Sequence, residues 1–271
     1  MLSVHTNYAS MVAQNAVGKN NSLLTTSMER LSTGLRINSA ADDAAGLQIA
    51  NRLNANVTGM ETANRNISDA TSMLQTADGA LDELTTIANR QQELATQAAN
   101  GVNSTDDLAA LEAEYNELNA EITRIIDNTE FAGNNLFEAG AGVLVNGVDF
   151  QIGAGSGEQL NVSINGGYTV ADVDWSGATD DPTDAIDAVQ TFTAAVGADR
   201  STLGANINRL GHTASNLANI TENTKAASGR IMDTDFAVET ANMTKNQLLV
   251  QAGTSILSSA NQNTGLVMGL L

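Results

Sequence analysis

The chain has 271 residues, a formal net charge of −19 and no cysteine, which excludes a disulfide framework and a thiolate metal site. Aromatic residues make up 3% of it and there is one proline, so packing depends on aliphatic residues and alanine, which favours long helices. No apolar run reaches the roughly 18 residues that a membrane-spanning helix needs, and residues 1–20 lack the pattern of a cleaved signal peptide, so we expect neither.

The negative charge is concentrated in the middle of the sequence. Residues 125–199 hold twelve acidic side chains and no lysine or arginine, whereas both terminal segments are close to neutral. An acidic surface repels phosphate groups, so we expect no nucleic-acid partner and no membrane partner. Nearly neutral ends suit surfaces that pack against one another.

Five segments have the periodicity of helices. The first runs from about residue 7 to residue 35. The second follows Asp42 and Asp43, whose carboxylates suit a helix N-terminus, and runs toward residue 100. The third opens near residue 104, the fourth beside Pro182, and the fifth near residue 234.

The fourth helix carries the most regular apolar repeat. Its members, seven residues apart, are Val189, Val196, Leu203, Leu210 and Leu217. A repeat sustained over this length predicts packing against other long helices, as in a coiled coil. We therefore expect a mainly α fold with a long helical coiled-coil rod.

The first and fifth helices continue their apolar repeats toward both ends of the sequence. The repeats comprise Val17, Leu24, Met28, Leu31 and Leu35 in the first helix and Leu249, Ile256, Leu266 and Leu270 in the fifth. Chain ends are usually polar and need no partner. We call these nine residues the predicted apolar seam and expect other copies of the chain to cover it.

Residues 131–181 differ in character from the helices. Residues 144–150 alternate around Asn146 and Gly147, which predicts a β-hairpin with a tight turn. Residues 159–164 alternate like a further strand, and the glycine-rich residues 153–157 are typical of a hairpin turn. The segment therefore predicts a small β insertion in a helical protein.

No motif supports catalysis, and we expect no enzyme activity, metal site or cofactor. His5 and His212 lie far apart and belong to no metal-binding motif. Four aspartates resemble loose calcium ligands: Asp172, Asp174, Asp180 and Asp181. A twelve-residue loop that starts at Asp172 ends at Thr183, where an EF-hand has glutamate, so solvated loop carboxylates are the favoured interpretation.

Several stretches resemble bacterial flagellin. Residues 30–47, RLSTGLRINSAADDAAGL, are similar to the family's N-terminal signature. Shorter similar segments are residues 75–81, 97–101, 131–136, 251–257 and 260–262. The resemblance covers about residues 1–137 and 182–271, on both sides of the insertion.

The resemblance implies a domain arrangement. The N- and C-terminal helices would pair as a filament-core domain made of residues 1–40 and 234–271. The helical rod domain would comprise residues 41–130 and 182–233, with residues 131–181 as its β insertion. Many flagellins carry outer domains in place of residues 138–181, so this chain resembles a short form.

The resemblance also implies a function. Flagellins stack head-to-tail into the helical flagellar filament used for swimming motility, so the chain is expected to be a structural subunit that forms a homopolymer, with terminal helices that order on assembly. They leave the cell through a type III export channel, which implies an extracellular location. Expected partners are an export chaperone, the filament cap and hook-junction proteins.

Some flagellins are sensed by the innate receptor TLR5 through an arginine, a leucine and a glutamate of the rod. The corresponding residues here are Arg90, Leu94 and Glu114, with Glu93 and Gln97 alongside. Other members of the family are O-glycosylated in the insertion, where the candidate residues are Ser156, Ser163, Thr169, Ser176 and Thr179.

Two other functions remain open at the level of sequence. A hook–filament junction protein shares the terminal helices but occupies only a short zone of the flagellum. A secreted helical adhesin that never polymerises belongs to a different class, and it has no need of an apolar seam at both termini.

Overall fold

The computed structural model describes residues 7–177 and 180–268, with side chains described as far as residue 262. His5, Thr179 and Leu270 lie outside these residues, as does the side chain of Leu266. The fold is mainly α, as predicted. Within the described ranges, no helix is both long enough and apolar enough to cross a membrane.

All five predicted helices are present. They are α1 (Tyr8–Thr33), α2 (Ala44–Ala98), α3 (Thr105–Asn128), α5 (Pro182–Met232) and α6 (Phe236–Met268). The insertion contains the strands β1 (Glu130–Phe131) and β2 (Asn134–Asn135), the short helix α4 (Val143–Asn146), and the strands β3 (Val148–Gln151) and β4 (Gln159–Val162).

The chain divides into two compact units. The terminal unit comprises Met1–Ala55 and Asn223–Leu271, and the internal unit comprises Asn56–Glu222. Helices α2 and α5 contribute residues to both units. Residues 41–55 and 223–233, which the resemblance places in the rod domain, lie within the terminal unit.

In the terminal unit, α1 and α6 pack antiparallel. The Asn7 side chain donates to the carbonyl of Ala260 (2.9 Å) near one end of the pair. At the other end, the Gly34 carbonyl accepts from the backbone N–H of Thr234 (2.9 Å). Gly34 ends α1 with a φ of 75°, a left-handed conformation that glycine adopts without steric cost.

Side-chain caps fix the starts of α2 and α3. Asp43 accepts from the backbone N–H of Gly46 (2.9 Å), which confirms the predicted role of a carboxylate at this helix start. Ser104 and Asp107 form a reciprocal capping box at the start of α3. Each cap pairs backbone N–H groups that have no partner within their helix.

The core of the internal unit is built on the predicted heptad repeat of α5. Val189, Val196, Leu203 and Leu210 are 0% exposed and Leu217 is 7% exposed. They belong to one cluster with residues of α2, α3 and the insertion. The α2 members with no exposed surface are Leu74, Ala77, Leu81, Leu84, Ala88 and Ala95.

The predicted hairpin around Asn146 and Gly147 is wrong. Residues 143–146 form the helix α4, and Gly147, with a φ of 81°, ends that helix by donating its N–H to the carbonyl of Leu144. An Asn-Gly pair favours positive φ both in a hairpin turn and at a helix end. Here the pair ends a helix in which Leu144 is fully buried.

The hairpin instead joins β3 to β4, with Val148 opposite Val162 and Gln151 opposite Gln159. The glycine-rich residues 153–157 form its connection, as the turn prediction required. Gln151 Nε2 closes this loop by donating to the carbonyls of Gly153 (2.8 Å) and Gly155 (2.6 Å).

A buried carboxylate of α5 binds the segment of the insertion that follows β4. Asp199 is 2% exposed and accepts from the Asn165 N–H (3.2 Å), Asn165 Nδ2 (3.1 Å) and the Tyr168 hydroxyl (2.6 Å). Burial, followed by the bond to Asp199, raises the pKa of Tyr168, so its hydroxyl remains a donor.

We predict that Leu203→Ala lowers the free energy of unfolding by about 2–5 kcal/mol, because it leaves a cavity at a fully buried position. Urea unfolding of the free chain, followed by circular dichroism, measures the change. The control is Ser201→Ala, an exposed position on the same helix, with an expected change within about 0.5 kcal/mol. Equal effects of the two substitutions would contradict the assignment of this core.

Candidate assembly surface

The predicted apolar seam divides into two sets of residues. Val17, Leu24, Leu31 and Leu35 are partly buried within the chain. Met28, Leu249 and Ile256 are exposed, at 49%, 41% and 61%. The remaining two, Leu266 and Leu270, have no described side chains. The α1–α6 pair therefore covers part of the seam and leaves part of it open.

Val17 shows how closely the two helices approach each other. A Cβ atom added to Gly253 of α6 would lie 2.5 Å from Cγ2 of Val17. Real Cβ atoms do not approach another carbon so closely, and a β-branched side chain has little freedom to move aside. Glycine at 253 is therefore required for the observed spacing of the pair.

The terminal unit exposes most of the large apolar side chains. Among the described residues, eleven of the thirteen exposed large hydrophobics lie in this unit. They are Tyr8, Met11, Val12, Leu23, Met28, Ile49, Phe236, Val238, Leu248, Leu249 and Ile256. Soluble monomers rarely leave large apolar patches uncovered, so this distribution indicates an interaction surface.

Buried apolar residues have the opposite distribution. Of those described, only Ile37 and Ala50 are buried in the terminal unit, while the cluster of the internal unit contains 33. Each of two packed helices buries one face against the other. The opposite, outward faces therefore stay exposed unless another part of the chain or another molecule covers them.

An apolar groove lies within the exposed surface. It is lined by Tyr8, Ala9, Val12, Ala13, Ala16, Gly253 and Ile256, from both α1 and α6. Ala13 and Gly253 are partly buried, whereas Tyr8, Val12 and Ile256 are 78%, 51% and 61% exposed. This shape suits an apolar side chain from another molecule.

Most of these exposed apolar residues lie outside the predicted apolar seam. Tyr8, Val12 and Phe236 are all more than half exposed, and none of them belongs to the predicted apolar seam. The spacing of Tyr8, Met11 and Val12, at i, i+3 and i+4, is itself a helical stripe and was the available signal.

The charged residues of the predicted receptor contact lie together on α2 and α3. Arg90 donates to Glu114 Oε1 from Nε (2.9 Å) and from Nη2 (2.7 Å), and Nη1 donates to Glu93 (3.0 Å). These bonds, first to Glu114 and then to Glu93, raise the pKa of Arg90. Glu93 and Gln97 are exposed, so the surface is open to a partner.

Leu94 has a different location. It is 1% exposed and belongs to the core of the internal unit. A buried leucine offers a partner no surface, so Leu94 supports the helix beneath Arg90 and we remove it from the predicted contact set.

The candidate modification residues are mostly accessible. Ser156, Ser163 and Thr169 are exposed, and Ser176 is partly buried. His212 is exposed as well. Within residues 7–177 and 180–268, no three His, Cys, Asp or Glu side chains are placed to hold one metal ion.

Comparison with protein families matches both ends of the chain. A family model described as the bacterial flagellin N-terminal helical region matches residues 4–141. A second, described as the bacterial flagellin C-terminal helical region, matches residues 186–271.

Similar curated proteins cover the whole chain. A flagellin from Halalkalibacterium halodurans is 40% identical over 274 positions, covering 99% of each chain. Flagellin A from Vibrio anguillarum is 35% identical over 380 positions, covering 100% of this chain and 99% of its own. The chain thus matches the short relative in length, while the Vibrio protein has additional residues.

A solved structure shares the fold. A protein from Vibrio parahaemolyticus described as flagellar hook-associated aligns with a TM-score of 0.59 and 14% identity, covering 71% of this chain and 100% of that chain.

We predict that Gly253→Ala impairs assembly, because the added methyl group collides with Val17 and separates α1 from α6. Adding Val17→Ala removes the colliding methyl groups and is expected to restore much of the polymer yield. The measurement is the fraction of protein that sediments after seeding with short polymers.

Gly18→Ala is the matched control, because a Cβ at this position meets no atom within 4 Å. It is expected to leave the yield unchanged or to raise it through better helix propensity. A double variant as impaired as Gly253→Ala alone would show that the collision is not the cause.

Proposed function

The chain belongs to the bacterial flagellin family and is a structural subunit of the flagellar filament, and we propose that its terminal unit makes the contacts that join one subunit to the next. The observation that carries the proposal is the concentration of exposed apolar side chains in that unit, which buries only two apolar residues of its own among those described. The role is structural and includes no catalytic step.

The distribution of charge supports the same assignment. The terminal unit contains seven basic and six acidic residues, whereas the internal unit contains five basic and 25 acidic residues. Strong excess charge of one sign opposes close packing of identical molecules. The nearly neutral unit is therefore the one suited to a tight interface between copies.

Head-to-tail contacts between terminal units generate an open helical filament, because a heterologous interface that does not close continues to add copies. We further propose that α1 and α6 become ordered on assembly, when neighbouring subunits cover their outward faces. The free subunit then avoids premature polymerisation and stays suitable for export in an unfolded form.

Export through a type III channel and function outside the cell follow from family membership and are part of the proposal. So are an export chaperone that covers the terminal helices before assembly, the filament cap, and the hook-junction proteins. The hook-associated neighbour has 14% identity, so it supports the fold alone and gives no weight to a junction role. The adhesin alternative gains no support from the comparisons.

Recognition by TLR5 is a second proposal, which rests on the cluster of Arg90, Glu93 and Glu114 with Gln97 nearby. These side chains hold one another in place through hydrogen bonds while remaining accessible. A fixed guanidinium and carboxylates of this kind suit a polar contact at the rim of a protein interface.

We predict that Ile256→Gln abolishes long polymers and leaves the internal unit folded, because it places a polar amide in the apolar groove. Negative-stain electron microscopy after incubation with ammonium sulfate and short seeds measures polymer formation. Val102→Gln is the control, since Val102 is 82% exposed in the internal unit, and it is expected to polymerise normally. Normal polymers from Ile256→Gln would refute the proposed interface.

We predict that Arg90→Ala weakens receptor signalling in a cell-based dose–response assay, because it removes the cation that organises Glu93 and Glu114. Arg124→Ala is the matched control: Arg124 pairs with Glu121 at the same i,i+3 spacing on α3, outside the predicted contact set. Identical dose–response curves for the two variants and the unmodified protein would contradict the receptor proposal.

A further inference from the structure

Methionine supplies all the sulfur of this chain. The sequence has eight methionines and no cysteine, so no thiol competes with them for an oxidant. A thioether sulfur reacts with peroxides to form a sulfoxide, which turns a flexible apolar side chain into a polar one. The effect of that reaction on the protein depends on where each methionine lies.

Two methionines of α1 are exposed in the terminal unit. Met11 is 52% exposed and Met28 is 49% exposed. Met11 lies three residues after Tyr8 and next to Val12, and both of these neighbours line the apolar groove. Met28 is one of the exposed members of the predicted apolar seam. Both methionines therefore belong to the surface proposed for assembly.

Other methionines are shielded from solvent. Met60 and Met73 of α2 are 6% and 7% exposed and belong to the buried cluster of the internal unit. Met232 and Met243, in the terminal unit, are partly buried. Because an oxidant must reach the sulfur atom, burial slows the reaction. Among the described side chains, oxidation is therefore expected first at the two exposed methionines of α1.

We infer that Met11 and Met28 form an oxidation-sensitive modification site whose state controls assembly. The oxidant is hydrogen peroxide or another peroxide of the same reactivity. The methionine sulfur forms a bond to one peroxide oxygen and the O–O bond breaks. The proton of the transferred oxygen passes to the departing hydroxide, which leaves as water. The sulfur loses two electrons and the peroxide gains them, so no further reactant is needed.

The inference rests on the proposed role of the terminal unit in joining subunits. Methionine suits such a contact because its thioether is apolar and its side chain adapts to the opposing surface. A sulfoxide oxygen accepts hydrogen bonds from water, and burial in an apolar contact breaks them without replacement. Oxidised subunits therefore bind one another more weakly, while the internal unit, with Met60 and Met73 buried, keeps its fold.

Peptide mass spectrometry after brief treatment of the full-length free subunit with hydrogen peroxide locates the reaction. Sulfoxide is expected at Met11 and Met28 before it forms at Met60 and Met73. The same treatment of assembled polymer is expected to spare Met11 and Met28, because neighbouring copies cover them. Equal rates at all four methionines of the free subunit, or equal rates at Met11 and Met28 in subunit and polymer, would overturn the inference.

The critical protein concentration for seeded polymer growth measures the effect on assembly. Oxidation is expected to raise it about tenfold, the effect of burying one unpaired polar group. Methionine sulfoxide reductases, with electrons from a dithiol, are expected to restore the original value. Failure of the untreated chain to polymerise would contradict the proposed function. If the untreated chain polymerises and the oxidised chain has the same critical concentration, the oxidation inference alone is refuted.

A double variant assigns the effect to the two named residues. Met11→Leu with Met28→Leu removes both sulfur atoms at nearly constant volume, so it is expected to polymerise normally and to be insensitive to peroxide. The matched control, Met60→Leu with Met73→Leu, keeps both exposed thioethers and is expected to remain sensitive. Circular dichroism checks that both variants fold. If the Met11 and Met28 variant is as sensitive to peroxide as the unmodified protein, the site is wrongly assigned.

Discussion

Two helices packed against each other can each bury only one face, and this constraint governs the terminal unit. α1 and α6 cover Val17 and Gly253 between them, but leave Tyr8, Val12 and Ile256 in solvent. Burying one such side chain is worth about 1.5–3 kcal/mol. These side chains stay exposed in the described part of this unit, so under the proposed interface other copies of the chain supply that energy.

The internal unit satisfies the same requirement within a single chain. Its cluster of 33 buried apolar residues combines three helices with the insertion, so each helix has more than one neighbour to pack against. Asp199 of α5 holds the insertion in place by accepting three hydrogen bonds from Asn165 and Tyr168. These bonds offset the cost of burying its carboxylate in an apolar core. A unit with a complete core can remain folded whether or not the terminal helices are covered.

The sequence pattern predicted the features that depend on residues close to one another in the chain. The heptad repeat from Val189 to Leu217 specifies a buried stripe wherever the partner helices lie, and Asp43 and Ser104 start helices through bonds that span three residues. The Asn146–Gly147 pair failed as a predictor because positive φ serves a hairpin turn and a helix end equally well. The burial of Leu144, which decides between them, depends on residues distant in sequence.

The candidate sites depended more on tertiary structure. A seven-residue repeat identifies an apolar stripe but not its partner, so Val17 and Ile256 looked equivalent although one faces α6 and the other faces solvent. Leu94 could not be recognised as buried from its spacing to Arg90.

Acidic charge is concentrated in the internal unit and exposed apolar surface in the terminal unit. Because charge and apolar contact act over different distances, this distribution favours some contacts between subunits over others. Apolar contact is effective only when surfaces touch, whereas charge repulsion extends over about 10 Å at 0.1 M salt. The internal unit, with 25 acidic and five basic residues, carries an excess of negative charge that opposes close contact between its copies. Under the proposed interface, this charge difference favours arrangements that bring the nearly neutral terminal units into apolar contact. This selection against other contacts favours one repeated interface, which is what a regular filament requires.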